Sequence, residues 1–471
     1  MLSPVKYLHK GYHNFTHGFS KKTVIIIALL AIADVLVMVI PFYLKNVMSS
    51  VLIAKSLGIL PSQFSQANAI YGYVALLSYF VGGYFADRVN LKKLTLFGLA
   101  AVGAFSIWYA FIPFINQGKI VQLYIIFAAW SFITCFIFWS ALWKILAEQG
   151  KPEENGKLNG LHGSLNGLIG SILIALAYLI FWLTGDIFAK HMGQYAFTSL
   201  VLFFTIIIFI TTILLYKIVP DSTSHKENNQ QFDIKTFGNT LKNYKLWLAT
   251  FLIMGVYMLQ SGLSVVVTYA QDALKIIPFI VVLAGILRTY FFRFLFSSPA
   301  GKWADKTQNY VLFITIGLTI ASMLTLTMIL LPGFGGDFTK LNPVYQIVVQ
   351  VLVIILFLGL GIACWCLVTN RWATIYQIGI NQKEYAVSVG FISFIAFSPD
   401  AWFWQVDSIL LKKFGAENGY PSNIIANQIS LAVITSIALI AAVGGLILIF
   451  VLNYEKKQQM LIKQNQQLAT I

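Results

Sequence analysis

Apolar stretches about 20 residues long recur along nearly the whole of this chain, and that is the length an α-helix needs to cross a hydrocarbon layer about 30 Å thick. Twelve can be marked, at 22–44, 66–86, 92–114, 121–143, 157–184 and 195–216, then at 246–270, 277–298, 309–331, 344–369, 385–410 and 425–453. Lipid gives the backbone no hydrogen-bond partner, so a spanning segment must satisfy its own amides, which a helix does. Of the 471 residues, 58% are hydrophobic and 10% charged, against roughly 25% charged in an average soluble domain. These observations predict an all-α, polytopic membrane protein with the lipid bilayer as its main solvent. The first 22 residues carry Lys6, Lys10, Lys21 and Lys22 but no apolar core ending in a small-residue cleavage site. The first apolar run is therefore expected to be a retained helix and not a removable leader.

The net charge of +15 is a topology signal and not a nucleic-acid footprint, because Lys and Arg gather in alternate inter-span segments. By the positive-inside rule both termini are cytoplasmic, with a bacterial inner (plasma) membrane as the default setting. The three cysteines, Cys135, Cys364 and Cys366, all lie inside apolar runs, which argues against a disulfide framework. The sequence has no phosphate-cradling glycine loop, no metal-spaced His and Cys set and no nucleophile triad, so no cofactor, no metal and no enzymatic activity are expected. A monomer is expected, driven by an ion or substrate gradient.

A polar stretch at 217–245 (Asp221, Ser222, Ser224, Lys226, Glu227 and the amides that follow) divides the chain near its middle and fits a solvated linker. It separates a six-helix half, residues 1–216, from a second, residues 246–471. After the second span stands Gly82-Gly83-Tyr84-Phe85-Ala86-Asp87-Arg88, and after the eighth Gly301-Lys302-Trp303-Ala304-Asp305-Lys306. Aligned on the acid, both read Gly-x-x-Ala-Asp-basic at the same place in each half. Glycine permits close helix approach, and the acid and base can pair with a neighbouring helix end. Gly83, Asp87, Arg88, Gly301, Asp305 and Lys306 form the candidate gating motif. This pair resembles the loop signature of the major facilitator superfamily, with Asn90 where that signature usually has a second Gly. The resemblance implies two halves that rock about a central site.

Phe42-Tyr43-Leu44-Lys45-Asn46, Ile70-Tyr71-Gly72-Tyr73, Gly285 through Arg293, and Gly390 through Asp400 are similar to the organophosphate:phosphate antiporter branch and its uncharacterised bacterial relatives. In those antiporters a basic residue near the end of the first helix and one in the seventh hold the substrate phosphate. Lys45 stands at the first position, and the seventh span has no Arg.

Ionisable groups inside the hydrocarbon are costly and face a cavity or a partner. Four stand out: Asp34, Arg288, Arg293 and Asp400. Asp34 and Arg288 fall near the midplane at about 1.5 Å per residue, where they can share a cavity or pair with each other. Arg288 offers a planar donor fork for an anion, and Asp34 is a candidate proton carrier. Arg293 lies five residues further on, about 140° around a regular α-helix, so it is assigned a place near the signature loop. Asp400 follows Pro399 and is a second proton candidate, unless it lies near enough to the outer surface to be hydrated. Asn159, His162 and Asn166 form a polar stripe beside a glycine series, Gly160, Gly163, Gly167 and Gly170. His162 is the proton-relay candidate there, and the glycines suit close helix packing. Lys144 and Arg371 match as interfacial anchors. Tyr71, Tyr73, Tyr290, Trp139, Trp365 and Gln260 are pathway candidates by depth.

The expected function is secondary active transport of a small organic anion by alternating access, coupled to protons or to a counter-substrate. Two other readings stay open: proton-driven export of cationic or amphipathic compounds with Asp34 and Asp400 as counter-charges, and a non-transporting solute receptor.

Overall fold

The computed structural model describes Thr16 and residues 18–86, 89–151, 154–187, 192–221, 241–307, 309–380, 382–420 and 422–468. Among the described residues the chain forms twelve long helices, some of them interrupted. They are α1 (Lys21–Asn46), α2 (Pro61–Ala86), α3 (Leu91–Phe114), α4 (Lys119–Ala147), α5 (Asn155–Ile187) and α6 (Met192–Ile218). The remaining six are α7 (Tyr244–Ala273), α8 (Pro278–Ile286 through Phe292–Thr307), α9 (Tyr310–Leu330), α10 (Pro343–Asn370), α11 (Gln382–Ala396 and Pro399–Phe414) and α12 (Ile424–Leu468). Among the described residues, 10 helices are long and apolar enough to cross a membrane. α2 and the two-piece α11 complete the bundle.

Polar caps set several boundaries. Asn90, which departs from the resembled glycine pattern, is the N-cap of α3 and accepts the Lys93 amide at 2.9 Å. It satisfies one of the four amides that a helix start leaves unpaired. In α11 the helix stops at Ala396 and restarts at Pro399, because Pro cannot donate and suits the first position of a new helix. That restart puts Asp400 in a first turn.

Four helices carry wide π-type turns, at Val39–Tyr43, Phe132–Phe138, Tyr269–Ala273 and Leu287–Phe291. Two of them fall at matching places, near the far ends of α1 and α7. Such turns leave backbone groups without their usual helical partner and are common at functional sites.

Two apolar clusters fill the bundle. One is built from α1–α6 with Val282, Ile286 and Tyr290 of α8, the other from α7–α12 with Ala69 of α2. The polar residues beyond 453, where the last expected span ends, continue α12 to Leu468. Its Glu455 accepts from Lys245 Nζ at 2.9 Å, and its run of Glu, Lys and Gln has good helix propensity. Asp87, Arg88 and residues 222–240 of the expected linker lie outside the described residues.

Candidate functional site

Asp34 sits in the middle of α1 at 5% exposure. Asn166 of α5 donates its Nδ2 to Asp34 Oδ2 at 2.7 Å, and the Oδ1 of the same amide accepts from Arg293 Nη1 of α8 at 2.5 Å. One side-chain amide thus links a buried acid to an arginine, with both of its ends used. His162, one turn before Asn166, brings Nε2 to 4.0 Å from Asp34 Oδ2 and packs its ring against Trp143 with centroids 5.2 Å apart. Asn159, the third member of the expected stripe, is exposed.

α5 and α8 approach closely here because of two glycines. A Cβ at Gly170 would run into the Tyr290 ring, and one at Gly167 would meet the backbone of Tyr290 and Phe294. Gly160 and Gly163 have open space around them, so only the second half of the glycine series packs in this way.

Arg293 enters this group because α8 is not a regular α-helix. The Phe292 amide bonds to the Leu287 carbonyl, five residues back. Such a turn stacks residues five apart as an α-helix stacks those three or four apart. Arg288 and Arg293 are drawn toward one face, where α-helical spacing predicts faces about 140° apart. Trp365 of α10 touches both: its Nε1 donates to the Arg288 carbonyl at 2.6 Å, and its ring lies 5.3 Å from the Arg293 guanidinium.

Arg288 is 4% exposed. Its Nη2 donates to Thr289 Oγ1 at 3.1 Å, its guanidinium lies 5.4 Å from the centroid of the Phe357 ring, and its Nε has no hydrogen-bond partner. Gly361 makes room for the stem, since a Cβ there would overlap it. Among the described residues no carboxylate pairs with Arg288, and Asp34 is held by Asn166 instead. The Tyr290 hydroxyl is also buried without a partner.

A second group of buried charges lies along α11. Asp400 is 3% exposed and accepts from the Tyr257 hydroxyl and from Ser261 Oγ at 2.6 Å, both on α7. Asp407, two turns on, is 5% exposed and accepts from Ser65 of α2 at 2.6 Å and Ser430 of α12 at 2.7 Å. It is not among the residues singled out from the sequence, although Asp400 and Asp407, seven residues apart, share a helix face. Lys45, at the end of α1, donates to Asn68 at 2.6 Å and lies 4.0 Å from the centroid of a Trp404 ring.

Contacts between α1–α6 and α7–α12 gather at the end of the bundle away from both termini. Ser49 donates to Asp272, and the Ser50 amide to Thr268 Oγ1 at 3.1 Å. Ser62 donates its amide and hydroxyl to Glu417 at 2.8 and 2.5 Å, and Ser408 donates to the Ser62 carbonyl at 2.8 Å. With Ser65 and Asp407, three serines of the first half are set against three carboxylates of the second. α2 and α11 pack so tightly that a Cβ at Gly72 would overlap the Asp400 backbone.

The other sequence candidates are distributed around these groups. Tyr71 bonds to Thr134 at 2.8 Å, and Gln260 accepts from Arg371 at 2.9 Å. In the second signature copy, Asp305 accepts from the Tyr310 hydroxyl at 2.7 Å, and Lys306 is exposed. Gly301 does not serve a close helix approach in this structure, since open space surrounds the place a Cβ would take. Gly83 is helical, and its partners Asp87 and Arg88 lie outside the described residues.

Three comparisons bear on these features. A sequence profile of the Major Facilitator Superfamily matches residues 21–403. The uncharacterized protein MG294 homolog of Mycoplasma pneumoniae is 31% identical over 461 residues, covering 93% of this chain and 94% of that protein. The inner membrane protein YihN of Escherichia coli K12 is 21% identical, covering 84% and 89%. Among solved structures, the nucleoside transporter NupG superposes with a TM-score of 0.62 at 13% identity, covering 90% of this chain and 99% of that one. A bacterial homologue of the human lysosomal transporter Spinster, inward-facing and unoccupied, gives 0.60 at 11% identity, covering 90% and 97%. At these identities the structural likeness speaks to the fold.

Proposed function

The chain belongs to the Major Facilitator Superfamily, and from that premise we propose that it is a secondary active transporter of a small organic anion, cycled by alternating access of residues 1–216 against residues 246–471. The observation that carries this proposal is Arg288, a buried guanidinium without a carboxylate beside it. A buried charge without a partner is costly, and the cost is relieved by a ligand of opposite sign. Arg288 presents a forked donor suited to carboxylate, sulfonate or phosphate. Tyr290, on the same wide turn, carries a buried hydroxyl without a partner and is a second, neutral donor to test. Organic phosphates are among the classes to test, as the resemblance of the Lys45 and Arg288 segments suggests.

Arg293 is the movable arm of the site. Asn166 holds it to Asp34 across the two halves, so a change at Asp34 is felt at Arg293 through a single amide. With both termini on the cytoplasmic side of a bacterial plasma membrane, the serine and carboxylate contacts close the outer end. Rocking the halves then requires these contacts to break while the Arg293–Asn166 link re-forms around substrate.

A thermal-shift screen of the purified protein against organic phosphates, sulfonates, carboxylates and cationic drugs tests the proposal. An anion present at 100 times its Kd adds about 2.7 kcal/mol to stability. Stabilisation by anions in the wild type that is lost in Arg288→Ala supports it. Stabilisation by cations alone favours export through Asp34 and Asp400.

A further inference from the structure

The charges along α11 do not balance. Lys45, Asp400 and Asp407 are 3, 3 and 5% exposed, and among the described residues Lys45 is the base whose charge reaches both acids, its ammonium set over the ring of Trp404, which stands between them on α11. The elements packed on these acids otherwise present neutral donors: Tyr257 and Ser261 from α7, Ser65 from α2 and Ser430 from α12. One base against two carboxylates leaves a net negative charge buried if both acids are ionised. Asp34, the other buried acid, is linked through Asn166 to the part-buried Arg293, so the excess of negative charge lies in this cluster. An unpaired ion in the interior costs several kcal/mol, so the group takes up a compensating cation or is neutralised.

We propose that the Lys45, Asp400 and Asp407 cluster binds one proton, shared between the two carboxyls and taken up from the end of the bundle away from the termini. Its hydroxyl neighbours suit either charge state, because a serine hydroxyl donates to a carboxylate and accepts from a carboxylic acid. Access is at hand. A narrow gap beside Asp407 is lined by Ser50, Thr268 and Asn427, with room for about one water molecule. The Asn427 amide nitrogen that lines it is buried and has no partner.

The cluster is also part of the contact between the halves, through Ser65 and Asp407. Closing that end removes the acids from water, so proton uptake favours closure, and loss of the proton favours opening. If an anion binds at Arg288, as proposed above, one proton here leaves the charge of the buried core unchanged, which makes transport electroneutral at one proton per monoanion. The stoichiometry rests on that function, whereas the proton site itself does not.

Infrared difference spectroscopy on the purified full-length protein, stepped from about pH 5 to about pH 9 to span the carboxyl and histidine range, reads protonated carboxylic acids by their carbonyl stretch. The wild type is expected to show such a band at neutral pH, lost on alkalisation. Either Asp400→Asn or Asp407→Asn alone removes it, because each leaves Lys45 with one acid. Lys45→Met roughly doubles it, because both acids then need a proton. Asp34→Asn leaves it unchanged, which keeps the test informative should a cluster variant fail to fold. A wild type with no band at neutral pH overturns the proposal, as does a band that survives in the Asp400→Asn/Asp407→Asn double variant. A band abolished at constant pH when sodium replaces choline assigns the site to a sodium ion and overturns the proton. None of these readings needs a transported anion, so failure here is separable from failure of the Arg288 reading.

Discussion

Trp365 donates its indole N–H to the backbone carbonyl of Arg288 across 2.6 Å. The wide turn at Leu287–Phe291 departs from the regular helical bonding pattern, and Trp365 supplies a partner for a carbonyl within it. The same ring faces the Arg293 guanidinium, so one side chain holds the turn and flanks both arginines. Trp365→Phe keeps a ring for Arg293 and removes the donor. The expected result is anion affinity lowered by about fivefold, from the roughly 1 kcal/mol net worth of a buried hydrogen bond, with a smaller loss of stability. Binding titration of a stabilising anion checks it.

Asn166 uses its amide on Asp34 and Arg293 together. Asn166→Leu leaves a buried carboxylate and a guanidinium without their partners, and a loss of about 3 kcal/mol is expected. Asn166→Gln, which keeps the amide on a longer stem, is expected to recover part of that. Thermal midpoints of the two variants against the wild type measure the difference.

The helices were legible in the sequence because their cause is local: apolar length and polar interruption are printed in the residues. The partner of Asp34 was not. α-Helical spacing points to Arg288 and places Arg293 on another face, and the π-type turn that brings Arg293 into this group is met by the indole of Trp365, 72 residues further along. Lys45 stood out by its resemblance to a phosphate ligand, and its place between Asp400 and Asp407 depends on how α1 ends, through the turns at Val39–Tyr43 and Leu44–Asn46. Asp407 needed only the observation that it shares a face with Asp400.

Gly72 and Gly170 are where added volume meets different neighbours. At Gly72 a methyl would collide with the Asp400 backbone, and at Gly170 with the side chain of Tyr290. Gly170→Ala is expected to cost about 1–3 kcal/mol, in the range of an overpacked core, and Gly72→Ala more than that. Thermal midpoints of both variants give the comparison.

The hydroxyl and amide of Ser62 both donate to Glu417. Glu417→Gln replaces charge-assisted bonds by neutral ones, which are about half as strong. A loss of about 1.4 kcal/mol raises the population open at that end about tenfold. Electron–electron distance measurements between spin labels at Lys55 and Lys412, on opposite halves beside this contact, are expected to show the longer-distance population growing in the variant.

The central claim is that Arg288 supplies the counter-charge for a transported anion, and calorimetric titration of the most stabilising anion from the screen tests it directly. The wild type should bind it saturably. Arg288→Gln should weaken binding by at least about 30-fold, given the 2–5 kcal/mol attached to one partner of a buried charge pair. Arg288→Lys, which keeps the charge without the fork, should fall between. Binding to Arg288→Gln with wild-type affinity would contradict the account.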